Sequence, residues 1–308
     1  MAAAAHGVEI SSQQAGQARS FWTPARMARA RPLEIQPRAR TAATAAAPGR
    51  SERGVPYRVA PRAASTTPAP DSVEKPPFEE VADPTTVESR VNGVIFFGAL
   101  GFLDRCSGTA VNSPNLSVVI TAAHCVNSGG PRGRWYRHGW VFVPGYRYGQ
   151  RPFGVFPAKW LDVTPRWLAE GSENADVAAA VVMRNERGQR LGAAVGGAGF
   201  ASGLSPNQVF DVHGYPAGPP FDGETQRLCV QTPYLGHDPQ SIISGSGPLN
   251  LAVDCNVTGG ASGGGWTIAG GLLNSVTNYG YPIDPETDFG SYFGKEVAGL
   301  YHRAGRVK

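Results

Sequence analysis

Residues 117–126 read SVVITAAHCV, a β-branched run followed by two alanines, a histidine and a cysteine. Valine and isoleucine fit a half-buried pleated surface, so this run predicts a strand that ends at the alanines. Small side chains before His124 leave room for its imidazole to approach neighbouring backbone. A lone histidine usually has a structural role, but one at a strand end beside Cys125 is a candidate for chemistry.

Similar runs recur from Val91 to the end of the chain. They are short, rich in β-branched and aromatic residues, and separated by Gly, Pro, Asn and Ser: VNGVIFFGAL, SGTAV, WVFVPGY, GVFPAKWLDV, DVAAAVVM, QVFDVHGY, LNLAVDC and GGWTIAGGLLNSV. Many short strands with such punctuation predict an all-β barrel or sandwich. Residues 292–305 carry apolar side chains at helical spacing, which predicts a C-terminal helix packed on the β domain.

Residues 1–85 have a different composition, rich in Ala, Arg, Pro, Ser and Thr and poor in large apolar side chains. Such a segment buries too little surface to offset the entropy of ordering, so we expect it to be largely disordered. Within it, residues 20–33 could form a short helix with Thr23 as cap and Pro24 in the first turn. The segment is either a linker or a pro-segment that is later removed.

The net charge of +4 is distributed unevenly along the 308 residues. Residues 1–62 contain ten arginines and three glutamates, a charge of +7, which leaves 18 basic and 21 acidic side chains (28−10 and 24−3), a charge of −3. Residues 63–308 are therefore mildly acidic and lack the excess of basic side chains that nucleic-acid binding requires. No apolar run approaches the roughly 20 residues that a membrane-spanning helix needs. Neither nucleic-acid binding nor a membrane span is therefore predicted.

The four cysteines are Cys106, Cys125, Cys229 and Cys255, and none forms a CxxC pair of the kind that binds zinc. An even number at wide spacing suits two disulfides in an exported protein. Cys125 could join Cys106 in a preceding strand, which leaves Cys229 and Cys255 by elimination. The start MAAAAHGVEISSQQ lacks the basic stretch and apolar core of an ordinary signal peptide. We expect secretion by another route, or a start that is misassigned or trimmed.

A carboxylate candidate lies in SENADVAAAVV (172–182), where Asp176 opens an apolar strand. Burying an ionised carboxylate is costly unless it accepts hydrogen bonds. Asp176 could accept Nδ1–H of a histidine and orient the ring. The structural alternative is a common strand-entry aspartate, and Asp162 and Asp211 are the fallback candidates for the same role.

A third candidate is TGGASGGGW (258–266), which places one serine among five glycines. Glycine at 260 permits a turn that a side chain would obstruct, so the amides of Gly260 and Ser262 could point at one oxygen. A Gly-Ser linker is the structural alternative, but strand-like runs on both sides place the loop inside a folded domain. A phosphate-binding loop would need Gly-Lys-Ser/Thr, which does not follow.

TAAHC, DVAAAVV and GGASGGG, in this order, resemble the chymotrypsin-fold serine peptidases, whose triad runs His, Asp, Ser along the chain. FFGALGFLDRCSGTAVNS, VHGYPAGPPFDG and GLLNSVTNYGYP are similar to the secreted bacterial glutamyl-endopeptidase-like branch. The resemblance covers about residues 91–303. It implies two six-stranded β-barrels and a C-terminal helix in 91–308, with a barrel boundary at 190–205, after a largely disordered basic pro-segment at 1–90.

The resemblance also implies roles for individual residues. Ser262 would be the nucleophile, His124 the general base and then acid, Asp176 the group that orients it, and the amides of Gly260 and Ser262 the oxyanion hole. The implied activity is hydrolysis of peptide bonds in proteins or peptides by a monomer, without cofactor or metal. Two alternatives remain: a catalytically silent relative that binds a partner in its groove, and an esterase with the same triad.

The chain departs from the family pattern at Ala261, where the commonest motif has aspartate. Zymogen activation through an ion pair to that aspartate cannot operate, so the loop must be held by its own backbone bonds and packing. Cleavage after Arg90 would remove the basic segment and make Val91 the new amino terminus, which the resemblance suggests could receive an acidic substrate side chain.

The residues that form the substrate pocket are inferred from the positions of the corresponding loops in the family. Asn256 is expected near its base, with Asn274, Ser275 and Thr277 along its wall. We find no histidine for glutamyl specificity and no carboxylate for lysine or arginine among these positions. A small or apolar residue is therefore expected on the amino side of the cleaved bond (P1).

Overall fold

The strands form two sheets. The computed structural model describes residues 7–35, 53–65, 86–99, 101–238 and 247–308. The strands are β1 (Val8–Glu9), β2 (Arg31–Pro32), β3 (Tyr57–Val59), β4 (Asn92–Ala99), β5 (Phe102–Val111), β6 (Val118–Thr121), β7 (Val141–Pro144), β8 (Phe156–Val163), β9 (Ala178–Val182), β10 (Gly199–Ser202), β11 (Val209–Gly214), β12 (Arg227–His237), β13 (Leu251–Asp254), β14 (Gly265–Ile268), β15 (Leu272–Tyr281) and β16 (Asp284–Gly290). The helices are α1 (Ser12–Phe21), α2 (Pro24–Met27), α3 (Val87–Val91), α4 (Pro165–Glu170), α5 (Leu191–Ala194) and α6 (Lys295–Arg306).

The first barrel consists of β4 to β9. Its order is β8-β7-β4-β5-β6-β9, and antiparallel pairing of β9 with β8 closes it. Its interior is filled by fully buried side chains such as Ile95, Val119, Phe142 and Leu161. Each side chain of this size contributes about 1.5–3 kcal/mol on burial, so the barrel interior is the main source of stability here.

The second barrel consists of β11 to β16. Its order is β14-β11-β12-β13-β16-β15, and β14 pairs with β15 to close it. Phe210, Val212 and Trp266 fill its interior. The predicted all-β fold of two six-stranded barrels is confirmed. The connection from β9 to β11 contains α5 and β10 and joins the two barrels.

Helix α6 packs on the first barrel through Val297, Leu300 and Tyr301, which join its core. The ring of Tyr301 stacks on Phe200 with centroids 4.2 Å apart. The C-terminal helix predicted at 292–305 is confirmed at Lys295–Arg306. None of the helices in the described ranges has the length and apolar character to cross a membrane.

Part of the N-terminal segment packs on the barrels. Strand β1 pairs with β8, and β3 pairs with β10. The indole of Trp22 is buried against Phe96, with ring centroids 5.2 Å apart, and Met27 is fully buried. Thr23 caps α2 and Pro24 occupies its first turn, as predicted, but the helix predicted over 20–33 ends at Met27, and Arg31–Pro32 form β2. The expectation of disorder therefore does not extend to residues 7–35 and 53–65, where strand pairing and a few large apolar side chains outweigh the average composition.

Candidate active site

His124 lies in a 3-10 turn that follows β6. The turn is bounded by Ala122 and Ala123, both fully buried, so the small residues allow the close packing that the sequence predicts. A disulfide joins Cys125 to Cys106 on β5 and fixes the turn against the first barrel. The predicted pairing of Cys106 with Cys125 is confirmed.

The second predicted disulfide is also present, between Cys229 on β12 and Cys255 after β13. It joins two neighbouring strands of the second barrel. Neither bridge includes the loop around Ser262, so both act on the scaffold that surrounds the candidate site.

His124 makes two contacts with the fully buried Asp176, which lies in the short connection before β9. Its ring Nδ1 is 2.7 Å from Oδ2 of Asp176, and its backbone N–H donates to Oδ1 at 2.8 Å. An acceptor at Nδ1 places the ring proton there and leaves a lone pair on Nε2. Nε2 is buried and has no hydrogen-bond partner within the described part of the chain. The ring is therefore oriented to accept a proton at Nε2.

The position of Asp176 is fixed from a second side, because Nδ2 of Asn278 on β15 donates to its carbonyl oxygen at 2.7 Å. The two fallback aspartates lie elsewhere. Oδ2 of Asp162 accepts from Nε of Arg303 at 2.8 Å, and Oδ1 of Asp211 accepts from the backbone N–H of Gln231 at 2.7 Å. Of the three aspartates, Asp176 is the one that the structure places on His124.

The glycine-rich loop is shaped by Gly260, whose φ is +97°. A Cβ atom at this position would lie 2.8 Å from the carbonyl oxygen of Tyr215, so only glycine fits. The amides of Gly260 and Ser262 donate to no acceptor among the described residues. Unpaired donors of this kind in a buried loop can stabilise negative charge that develops on a substrate oxygen.

Ser107, which the sequence analysis did not single out, holds this loop in place. Its backbone N–H donates to the carbonyl oxygen of Ser262 at 2.8 Å, and its Oγ donates to the carbonyl oxygen of Gly260 at 2.8 Å. The same Oγ accepts from the amide of Tyr215 at 2.9 Å. The sequence could have indicated this role, because Ser107 follows Cys106, and the Cys106–Cys125 disulfide brings β5 to the histidine turn.

Local backbone bonds complete the loop without an aspartate at position 261. The amide of Ala261 donates to the carbonyl oxygen of Thr258 at 3.1 Å, and the amide of Gly264 donates to the carbonyl oxygen of Ala261 at 2.7 Å. The Ala261 side chain is buried. These bonds agree with the expectation that the loop is held by its own backbone and packing.

The histidine turn and the serine loop are neighbours in the structure. Sγ of Cys125 lies 3.7 Å from the carbonyl oxygen of Ser262.

Among the described residues, His124, Cys106 and Cys125 form the one group whose ligand atoms lie close enough to hold a metal ion. Because the two sulfurs are joined to each other, neither is a thiolate, and the donor set does not suit a metal.

Comparison with solved structures shows what this arrangement is similar to. A crystal structure of the protease Anisep from Arthrobacter nicotinovorans is 34% identical, with a TM-score of 0.63; the match covers 71% of this chain and 96% of that one. A thermostable serine protease, AL20, from an extremophilic microorganism is 32% identical with a TM-score of 0.65, covering 72% and 100%. The chain belongs to the chymotrypsin-fold serine proteases.

A glutamyl endopeptidase structure matches with a TM-score of 0.54 at 16% identity, covering 74% of this chain and 96% of that one. At that identity the match shows the shared fold, and the glutamyl-endopeptidase-like branch stays a prediction. Scans of family profiles and of curated proteins found no match.

In this chymotrypsin-fold serine protease, a cavity of about 220 Å³ opens beside Ser262. Of the four predicted pocket residues, Thr277 lines it. Asn274 and Ser275 are buried and donate to the carbonyl oxygens of Ala201 and Ser291. Asn256 lines a different cavity, beside the Cys229–Cys255 disulfide. The next residue, Val257, lines both cavities, whereas Asn256 does not line the one beside Ser262.

The cavity beside Ser262 also contains a carboxyl group that the sequence analysis missed. Asp288 on β16 lines it, is buried, and accepts a hydrogen bond from Oγ1 of Thr277 at 2.7 Å. Loss of hydration on burial raises the pKa of Asp288 to about 8. The expectation that no carboxylate lines the pocket therefore does not hold. Pairing of β16 with β15 brings Asp288 to the cavity, and nothing in the local stretch PETDFG signals it.

Proposed function

We propose that the protein is a serine endopeptidase that cleaves peptide bonds through an acyl-enzyme on Ser262. The observation that supports this most is the paired contact of His124 with Asp176, which leaves Nε2 of His124 without a partner beside the Ser262 loop. Solved serine proteases of 32–34% identity share the fold.

In the first half of the reaction, Oγ of Ser262 attacks the substrate carbonyl carbon while its proton passes to Nε2 of His124. The carbonyl oxygen becomes an oxyanion, and the amides of Gly260 and Ser262 stabilise it. Removing one such donor typically costs about 10²–10³ in rate. The C–N bond then breaks, and the imidazolium returns the proton to the leaving amine.

In the second half, water attacks the acyl carbon and gives its proton to Nε2 of His124. The new oxyanion collapses, the bond to Oγ breaks, and the imidazolium proton returns to Ser262. Asp176 stays ionised throughout and stabilises the imidazolium. Its burial keeps water away from this contact, which strengthens the electrostatic interaction.

Secretion as a precursor forms part of the proposal, because two disulfides are typical of an oxidising compartment. Cleavage after Arg90 meets a structural obstacle. The Arg90–Val91 bond lies within α3, and the side chain of Val91 is buried in the core of the first barrel. A protease therefore reaches this bond only after α3 unwinds.

Labelling with a fluorophosphonate tests the proposal against a silent binding protein. A competent Ser262 is expected to form a covalent adduct, which mass spectrometry of a proteolytic digest locates. Absence of the adduct both from the folded protein and from a folded variant whose cleft is open favours the silent relative. Comparison of matched ester and peptide substrates then separates an esterase from a peptidase, since an esterase would leave the peptides intact.

The proposed substrate carries lysine or arginine at P1, because a buried carboxyl group lines the cavity beside Ser262. Within the described residues, Asp288 has a hydroxyl and a backbone amide as donors and no cationic partner. A cationic side chain entering the cavity would pair with Asp288 and hold it ionised. This replaces the expectation of a small or apolar P1.

Asp288→Asn is expected to lower kcat/KM for lysine and arginine substrates by about 100-fold, since truncating one partner of a buried charge pair is costly. Matched leucine substrates should change only a few-fold. In the parent, the lysine-to-leucine ratio of kcat/KM should rise with pH until about 8, because the cation binds the ionised carboxylate.

The control is Asp284→Asn, at a partly exposed aspartate that lines the same cavity. Solvent screens an exposed carboxylate, so its loss should change the same ratio less than Asp288→Asn does. An unchanged lysine-to-leucine ratio in Asp288→Asn would show that the cavity does not select a cationic P1 residue.

A further inference from the structure

Residues 31–35, which we call the cleft segment, lie beside the candidate active site. Its first two residues form β2, which pairs in parallel with Asp104 and Arg105 of β5. The amide of Leu33 extends the pairing by donating to the carbonyl oxygen of Arg105 at 3.1 Å. Strand β5 continues directly into Cys106 and Ser107, so this pairing carries the cleft segment to the Ser262 loop.

The cleft segment contacts the proposed nucleophile itself. Oγ of Ser262 donates to the carbonyl oxygen of Leu33 at 3.5 Å. A hydrogen bond to the oxygen turns that atom, not the carbonyl carbon, toward Oγ. Attack on a peptide requires the opposite orientation, with the carbon at Oγ and the oxygen at the amides of Gly260 and Ser262. Leu33 therefore occupies the site in an arrangement that does not lead to its own cleavage.

The next two residues fill the space on the other side of Ser262. The carboxyl group of Glu34 lies against Gly259, where even a Cβ atom would overlap it. Ile35 packs against the buried cluster that includes Tyr279 and Phe289. Glu34 and Ile35 both line the cavity that contains Ser262. A substrate peptide cannot enter this cavity while the cleft segment is in place.

Residues that precede the cleft segment anchor it to the first barrel. The Trp22 indole is buried and donates to the carbonyl oxygen of Gly139 at 2.5 Å, and Met27 and Ala30 are buried in the same cluster. An anchored segment reaches its site at an effective concentration in the millimolar range, so weak contacts suffice for high occupancy. Because the segment is anchored, the few contacts of Leu33, Glu34 and Ile35 are sufficient to keep the cleft occupied.

We propose that residues 31–35 act as an intramolecular inhibitor, occupying the substrate cleft until they are displaced or cut away. The proposal rests on the proposed peptidase function for its consequence, exclusion of peptide substrates. The position of the segment does not depend on that function. The two can therefore be tested by different measurements on the same proteins.

The first measurement is the rate of fluorophosphonate labelling and of peptide hydrolysis in full-length Ile35→Asp. A charge among the rings of Tyr279 and Phe289 weakens docking, so both rates are expected to rise by about tenfold or more. The matched control is Val55→Asp, at a side chain 84% exposed in the N-terminal segment, which should leave both rates unchanged. Thermal unfolding of each variant verifies that it is folded.

The second measurement is independent of activity. Cγ of Glu34 lies 2.5 Å from the position of a Cβ atom at Gly259, so the side chains of Glu34→Cys and Gly259→Cys would lie next to each other. We expect a third disulfide in this double variant, identified by mass spectrometry of non-reduced digests. Glu34→Cys with Gly16→Cys, whose glycine faces open space on α1, should not form one.

Equal labelling rates in Ile35→Asp and the parent, with the parent labelled, would overturn the inhibitory role while leaving the peptidase proposal intact. Failure of the Glu34–Gly259 crosslink would overturn the placement of the segment. If the crosslink forms but no variant is labelled, Ser262 is not a nucleophile. The cleft segment would then lie over a site that has no activity to inhibit.

Discussion

Ser262→Ala is expected to abolish peptide hydrolysis, with a loss in kcat of about 10⁶-fold, because the covalent route requires its Oγ. The variant should fold normally. The loop is held by backbone bonds and by Ser107, whereas Oγ of Ser262 makes a single long contact to Leu33 among the described residues. Initial rates and thermal unfolding, measured beside the parent under the same conditions, test both statements.

The control is Ser205→Ala, at an exposed serine in the loop after β10. It should retain full activity and the same unfolding temperature. If Ser262→Ala kept more than about 1% of the parental rate, the acyl-enzyme would be the wrong mechanism, since the residual rate without a triad nucleophile is far lower.

Asp176→Asn is expected to lower kcat by about 10⁴-fold and to leave a measurable residual rate. The side-chain amide has the size of the carboxylate, but it favours the tautomer of His124 with the proton on Nε2. That ring cannot accept a proton from Ser262. It also loses the negative charge that stabilises the imidazolium, so the expected loss falls on kcat and not on KM.

A matched control separates the role of Asp176 from the general effect of removing a carboxylate. Asp211→Asn is the control, because its carboxylate binds the Gln231 amide on β12 and should affect the rate little. Loss of activity in Asp211→Asn with retention in Asp176→Asn would reverse the assignment.

The β-rich class of fold, the C-terminal helix and both disulfides could be predicted because each has a local signature, whereas the two six-stranded barrels were implied by the family resemblance. A β-branched run predicts a strand at 117–121 whatever lies opposite it, and apolar spacing predicts the helix at 292–305. The cysteines needed only their number and spacing. His124 and Ser262 could be singled out because their neighbours, two alanines and five glycines, are unusual within a few residues.

The residues that were missed depend on contacts between distant parts of the chain. Ser107 reaches Gly260 across 153 positions, and Ser262 reaches Leu33 across 229. Asp288 meets the cavity only because β16 pairs with β15. The N-terminal segment was expected to be largely disordered because its average composition conceals a few buried anchors such as Trp22.

By itself the sequence determined the class of fold and the side chains able to carry out the chemistry, since strand periodicity and the bare surroundings of His124 and Ser262 are local properties. Only the tertiary structure decided which aspartate meets the imidazole, that a buried carboxyl group lines the cavity, and that residues 31–35 cover it. These are distances between remote positions, and the closure of two barrels sets them.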